Sequence, residues 1–200
     1  FYPSALADGG YDVDDYRNVD PKLGTLEDFD EMLAGLHKEG IRVFVDIVPN
    51  HSSNLHEWFK EALAAEKGSA ARNRYIFRDG KGANGELPPS DWVSHFAPSS
   101  WTHESTFGGK NNQWFLHWFA PEQPDFNWEN PEVHEDFLET LKFWSDRGVD
   151  GFRIDVAHGL AKDLSEPFRS MPVHEGLEQR GNRGNGIWGD RNEVFAIYKE

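Results

Sequence analysis

Three short groups of residues combine types and spacings that could do chemistry. Arg153-Ile-Asp155 lies inside the apolar run bounded by Gly148 and Gly159. On a strand, residues i and i+2 face the same way, so this guanidinium and carboxylate would share one face. A neighbouring arginine lowers a carboxylate's pKa and keeps it ionised, the state that a carboxylate nucleophile needs. The alternative is a structural ion pair, since charge in a core must be paired. The second group is Asp46-Ile-Val-Pro-Asn50-His51, where Asp46 could equally be a structural hydrogen-bonder and His51 a loop cap. The third is Asp8-Gly-Gly-Tyr11.

Two segments of one plan must position these groups. Thr25 and Asp28 resemble a capping box, after which Leu26, Phe29, Leu33 and Leu36 mark a helical face that Gly40 ends. Residues 41–48 follow as a nearly continuous apolar strand, of the kind buried on both faces. Asn130-Pro131 then starts a second helix, with Val133, Phe137, Leu138, Leu141 and Trp144 on its buried face, and Gly148 ends it ahead of the strand that carries Arg153. Helix, glycine, strand and then polar residues at the strand's end describe an α/β fold with a parallel sheet. Ligands bind at the C-terminal ends of such strands, where all three groups are expected. The distance between the strands is too long for one connection, so residues 52–126 form an inserted module holding five of the eight tryptophans, with Trp128 at its edge. A second insertion over about 160–189 reads as a long loop above the strand end, and 190–200 as the start of an amphipathic helix.

Composition narrows the partners. With 20 Lys and Arg against 35 Asp and Glu, the net charge is −15, which disfavours nucleic acid and anionic membrane surfaces. No apolar run approaches the ~18 residues of a membrane helix. The absence of cysteine removes disulfides and thiolate chemistry and fits a reducing, cytoplasmic location. Gly80-Lys-Gly82-Ala-Asn-Gly85 matches a dinucleotide pattern, but Pro88-Pro89 follows where a helix should begin, so it reads as a surface turn. Asp12-Val-Asp14-Asp15 resembles a calcium loop, but Tyr16 and Arg17 stand where a ligand and a glycine belong. Asn50-His51-Ser52 is formally a glycosylation sequon at a strand end. No metal or other cofactor is expected. The chain opens at Phe1 without a methionine and closes on a helical pattern without a stop signal, so a piece of a longer protein is expected.

Taken together, these residues resemble glycoside hydrolase family 13, the α-amylase superfamily, in its α-glucosidase and oligo-1,6-glucosidase branch. Asp46 to His51 matches the signature D-x-x-x-N-H, and Gly151-Phe-Arg153-Ile-Asp155 the region that carries the nucleophile. Gln123-Pro-Asp-Phe-Asn127 is similar to the QPDLN-type element, and Asp8 to Tyr16 to the region after the second strand. The resemblance implies part of a (β/α)8 barrel, from the loop after strand 2 to the start of helix 4, with residues 1–51 and 127–200 as barrel segments and 52–126 as domain B. It implies Asp155 as nucleophile and Arg153 as its positioning partner. Asp8 and His51 would bind the sugar, Tyr11 would form the stacking floor, and Asp46 and Asn50 would support them. Val156, directly after the nucleophile, hints at α-1,6 cleavage. The implied reaction is retaining, exo-acting hydrolysis of short α-glucosides such as maltose or isomaltose through a covalent glucosyl intermediate. The acid/base glutamate and a third aspartate would lie outside this chain, so neither Glu193 nor Glu200 takes the acid role and the chain alone is expected to be inactive. His158 stands three residues after the nucleophile, one short of the family's histidine, and receives no role. A transglucosylase such as trehalose synthase is the enzymatic alternative, and a non-catalytic, transporter-associated relative the remote one.

Overall fold

A computed structural model of the chain describes residues 1–96, 98–171 and 186–199. In chain order it contains α1 (Leu26–Lys38), β1 (Phe44–Ile47), α2 (Glu57–Ala64), α3 (Ala70–Asn73), β2 (Phe77–Asp79), β3 (Trp101–His103), β4 (Gln113–Leu116), α4 (Pro131–Asp146), β5 (Gly151–Ile154) and α5 (Val194–Ile197). β1 and β5 pair in parallel, whereas β2, β4 and β3 form a separate antiparallel sheet in that order.

The two helices that precede the parallel strands are built alike. The Thr25 hydroxyl accepts the Asp28 amide while the Asp28 carboxylate accepts the Thr25 amide, a full capping box at the start of α1. Asn130 caps α4, with Pro131 in the first turn where its missing N–H costs nothing. Both helices close with the same pair of bonds. Gly40 N–H donates to His37 O and Ile41 N–H to Leu36 O, as Gly148 N–H does to Ser145 O and Val149 N–H to Trp144 O. This closure needs a left-handed residue, and Gly40 and Gly148 have φ of 73° and 101°. The Asp150 carboxylate accepts the Val43 amide and contacts His37 Nε2, both at 2.7 Å, tying the start of β5 to α1 and β1.

Burial differs between the faces of β1 and departs from the expectation at Leu138. Among the described residues β1 is covered on one face, with Val45 and Ile47 buried and Phe44 62% exposed. The reason is that Val45 and Ile47 face the helices, while Phe44 and Asp46 face the opposite side, which no described residue covers. Gly151, opposite Phe44 in the register, leaves room for its ring, because a Cβ there would stand 2.4 Å from it. On α4, Val133, Phe137, Thr140 and Trp144 are buried, whereas Leu138 lies a full 100° round from Phe137 and is exposed. The terminal helix is one turn, Val194–Ile197, and Glu200 lies outside the described residues. Of the second insertion, residues 160–171 and 186–189 contain neither helix nor strand, and 172–185 lie outside the described residues.

The segment between β1 and α4 packs as part of the same core. Phe59, Tyr75, Phe115 and Phe126 share one cluster with Val45, Ile47 and Trp144. A second cluster joins Trp92, Trp101 and Trp118 to Met171, Ile187 and Trp188 of the loop after β5. Five of the eight tryptophans are buried, and Trp58, Trp114 and Trp128 are half-buried. The 80–87 region is a surface turn, closed by reciprocal bonds between Lys81 and Leu87.

Candidate active site

The C-terminal ends of β1 and β5 bring the first two groups together. Their register sets Asp46 beside Arg153, and the Asp155 amide donates to Ile47 O one step further on. Side chains at 46, 153 and 155 therefore leave the sheet on the same face. Arg153 Nη1 lies 2.8 Å from Asp155 Oδ1 and 2.8 Å from Asp46 Oδ2, and it donates to the Tyr11 hydroxyl at 3.3 Å. One guanidinium thus joins residues from three segments far apart in sequence, and Tyr11 stays partly exposed.

The electrostatics of Asp155 differ from the simple expectation. Partial burial raises its pKa; Arg153 opposes this, while the neighbouring Asp46 charge adds to it. The net direction is upward, so Arg153 limits the rise rather than holding the carboxyl below its ordinary range. The next residue, Val156, has φ of +49°, uncommon for a β-branched side chain, and its amide is among the groups that favour ionised Asp155.

Asp8 and His51 stand on a common framework. Asp12 is buried, and its two carboxylate oxygens accept the Ala7 and Asp8 amides at 3.0 Å each, which shapes the 7–12 loop. This is the work of the residues that resembled a calcium loop. The buried Gln123 amide donates to Asp8 Oδ2 at 3.0 Å. His51 is 1% exposed, with Nε2 3.1 Å from Tyr11 O and Nδ1 3.1 Å from Asn50 Nδ2. Burial lowers its pKa to about 3, so the ring is neutral. As it stands His51 orients the Tyr11 loop, and it would meet a ligand only by exchanging the Tyr11 carbonyl for a ligand oxygen. Asn50 is fully buried, which takes it out of reach of glycosylation, and its amide bonds Asp125 and Lys162.

Asp12, Gln123, Asp125 and Lys162 were not singled out from sequence as site residues. Gln123 and Asp125 belong to a recognised motif that carried no role, and Lys162 is a lone lysine in a loop. His158 contributes its carbonyl to the Asp190 amide and its ring to the edge of Trp118. No group of three or more acidic, histidine or cysteine side chains poised for a metal occurs among the described residues. No helix among them is long and apolar enough to cross a membrane.

The comparisons with known proteins point one way. The family described as alpha amylase, catalytic domain, matches residues 1–194. The trehalose-6-phosphate hydrolase of Escherichia coli strain K12 is 47% identical over 167 residues, covering 84% of this chain and 29% of that protein. An oligo-1,6-glucosidase of Heyndrickxia coagulans is 40% identical over 171 residues, 86% of this chain and 30% of its own length. The solved trehalulose synthase MutB of Pseudomonas mesoacidophila MX-45 superposes with a TM-score of 0.82 and 35% identity, over 98% of this chain and 33% of that one. The chain spans about a third of the length of these relatives.

Proposed function

The chain belongs to the α-amylase catalytic-domain family and forms part of its (β/α)8 barrel, and on that premise we propose that the protein bearing it is a retaining, exo-acting α-glucosidase of short oligosaccharides. The observation that supports this best is Arg153, which binds Asp155, Asp46 and the Tyr11 hydroxyl at the ends of two parallel strands. Asp155 is the nucleophile. Its carboxylate attacks the anomeric carbon and forms a glucosyl ester as the bond to the leaving sugar oxygen breaks. The acid that protonates that oxygen is a carboxyl outside this chain, about 5–5.5 Å away, as retention requires. Water then cleaves the ester.

In this reading Arg153 holds the Asp155 oxygens in line, and Asp46 holds Arg153. Tyr11 is the platform for the sugar's apolar face. Asp8 and His51 bind its hydroxyls, Asn50 supports His51, and Val156 influences linkage choice. Residues 52–126 are the inserted domain B between barrel segments 1–51 and 127–200, and the location is cytoplasmic. Similarity to a trehalulose synthase favours transfer to a second sugar as the alternative outcome, and similarity to a trehalose-6-phosphate hydrolase favours a phosphorylated disaccharide as substrate.

The test is Asp155→Ala in the full-length protein, assayed with p-nitrophenyl α-glucoside. Turnover should vanish while the circular-dichroism spectrum and unfolding transition stay close to wild type. Retained turnover would refute the assignment. Product analysis with maltose, isomaltose, sucrose, trehalose and trehalose 6-phosphate separates hydrolysis from transfer and identifies the linkage.

A further inference from the structure

Beneath the site lies a buried charge pair with no part in the chemistry above. Lys162 and Asp125 are 1% and 0% exposed, with Lys162 Nζ 3.3 Å from Asp125 Oδ2. The Asn50 amide is wedged against both. Its Oδ1 accepts from Lys162 Nζ at 2.9 Å, and one of its N–H groups donates to Asp125 Oδ1 at 3.0 Å. Ammonium offers only donors and carboxylate only acceptors, so the amide has one orientation. Flipped, it would set donor against donor and acceptor against acceptor.

This orientation reaches His51. The second N–H of Asn50 points at His51 Nδ1, 3.1 Å away, so that nitrogen must accept. A neutral imidazole carries one proton, which therefore sits on Nε2 and is donated to Tyr11 O at 3.1 Å. Gln123 Nε2 also lies 3.0 Å from His51 Nε2; one of its N–H groups donates to Asp8 Oδ2 and its Oε1 is held by the Ala120 amide, so its second N–H opposes this tautomer by one contact. The other tautomer would gain one bond from Gln123. It would also turn Nδ1–H against the Asn50 N–H and a bare Nε2 against the Tyr11 carbonyl. Two bonds would become two repulsions.

We propose that Lys162 and Asp125 are positioning residues that, through Asn50, hold His51 as its Nε2–H tautomer and so make it a hydrogen-bond donor to a sugar hydroxyl. The donor role rests on the glycosidase reading, whereas the tautomer stands on the hydrogen-bond geometry alone.

Nitrogen-15 NMR of histidine-labelled full-length protein tests this, with the His51 signal identified by its loss in His51→Gln. At neutral pH the wild type should show a protonated Nε2 and a bare Nδ1. In the double variant Lys162→Met with Asp125→Asn, which removes both charges together, the Asn50 amide can turn and the second tautomer should appear. KM for p-nitrophenyl α-glucoside should then rise about tenfold, the loss expected for one hydrogen bond, with the larger share of the effect in KM rather than kcat. A protonated Nδ1 in the wild type overturns the proposal, and that spectrum decides even if the double variant does not fold. An unchanged tautomer in a folded double variant overturns it as well. A wild type with the expected tautomer but no turnover of any α-glucoside would overturn the donor role together with the glycosidase reading, and leave the tautomer assignment in place.

Discussion

Replacing His56 by asparagine should flatten the acid side of this protein's stability profile by about 2 kcal/mol. His56 caps α2, its Nδ1 accepting the Trp58 amide at 3.2 Å, and burial lowers its pKa to about 4. An unfolded histidine titrates near 6.5, so the unfolded chain binds the proton first and stability is lost as pH falls from about 6.5 towards 4. At pH 5 the unfolded imidazole is almost fully protonated, while the folded one carries roughly a tenth of a proton. Each pH unit across that gap costs about 1.4 kcal/mol, so moving from pH 7 to pH 5 costs about 2 kcal/mol for this one side chain. Buried His51 and His117, with pKa values lowered to about 3 and about 4, act in the same direction. Partly or fully buried Asp14, Asp125 and Asp155, all raised, act against them. The informative quantity is therefore the difference between wild type and variant, in which those groups cancel. Asparagine keeps an oxygen to cap α2 but cannot titrate. Urea unfolding of both proteins at pH 7 and pH 5 measures the four free energies. Lost ring packing lowers stability equally at both values and drops out. An identical pH dependence in the two proteins would refute the reasoning, because it would mean that His56 protonates freely in the fold.

Three further outcomes can be checked. Arg153→Met removes the cation that opposes the rise in the Asp155 pKa. For a pair at this distance but with Arg153 half exposed, about 1 kcal/mol is lost, so the acid limb of kcat/KM should move up by about one pH unit; a limb that stays in place or moves down excludes the pairing. Lys162→Met alone strands the buried Asp125 carboxylate and should cost about 3–5 kcal/mol in urea unfolding, most of it recovered when Asp125→Asn is added. Gly40→Ala meets no atom within 4 Å but must hold φ near 73°, so it should cost about 1–2 kcal/mol through the backbone alone, read as a lower urea midpoint at unchanged slope.

How much was legible in the sequence follows from the range of each interaction. The ends of α1 and α4 were readable because a cap, a proline and a left-handed glycine act within a turn of the helix they bound. The pairing of Arg153 with Asp155 was readable for the same reason, since a strand's period of two is local. The bridge from Arg153 to Asp46 and Tyr11 was not, because it depends on the β1–β5 register and on a loop more than a hundred residues away. Nor was the sign of the Asp155 shift. The sequence names its neighbouring arginine but not its burial, and burial is the larger influence.

The sequence by itself determined the α/β repeat, the positions of its turns and the acidic and basic side chains at the strand ends, all matters of local conformation and residue type. Only the tertiary structure decided which face of β1 meets the helices, that Lys162 and Asp125 are buried against Asn50, and that His51 is neutral with both ring nitrogens engaged. Those facts depend on desolvation and on partners distant in the chain, and desolvation is a property of the packed molecule rather than of any segment of it.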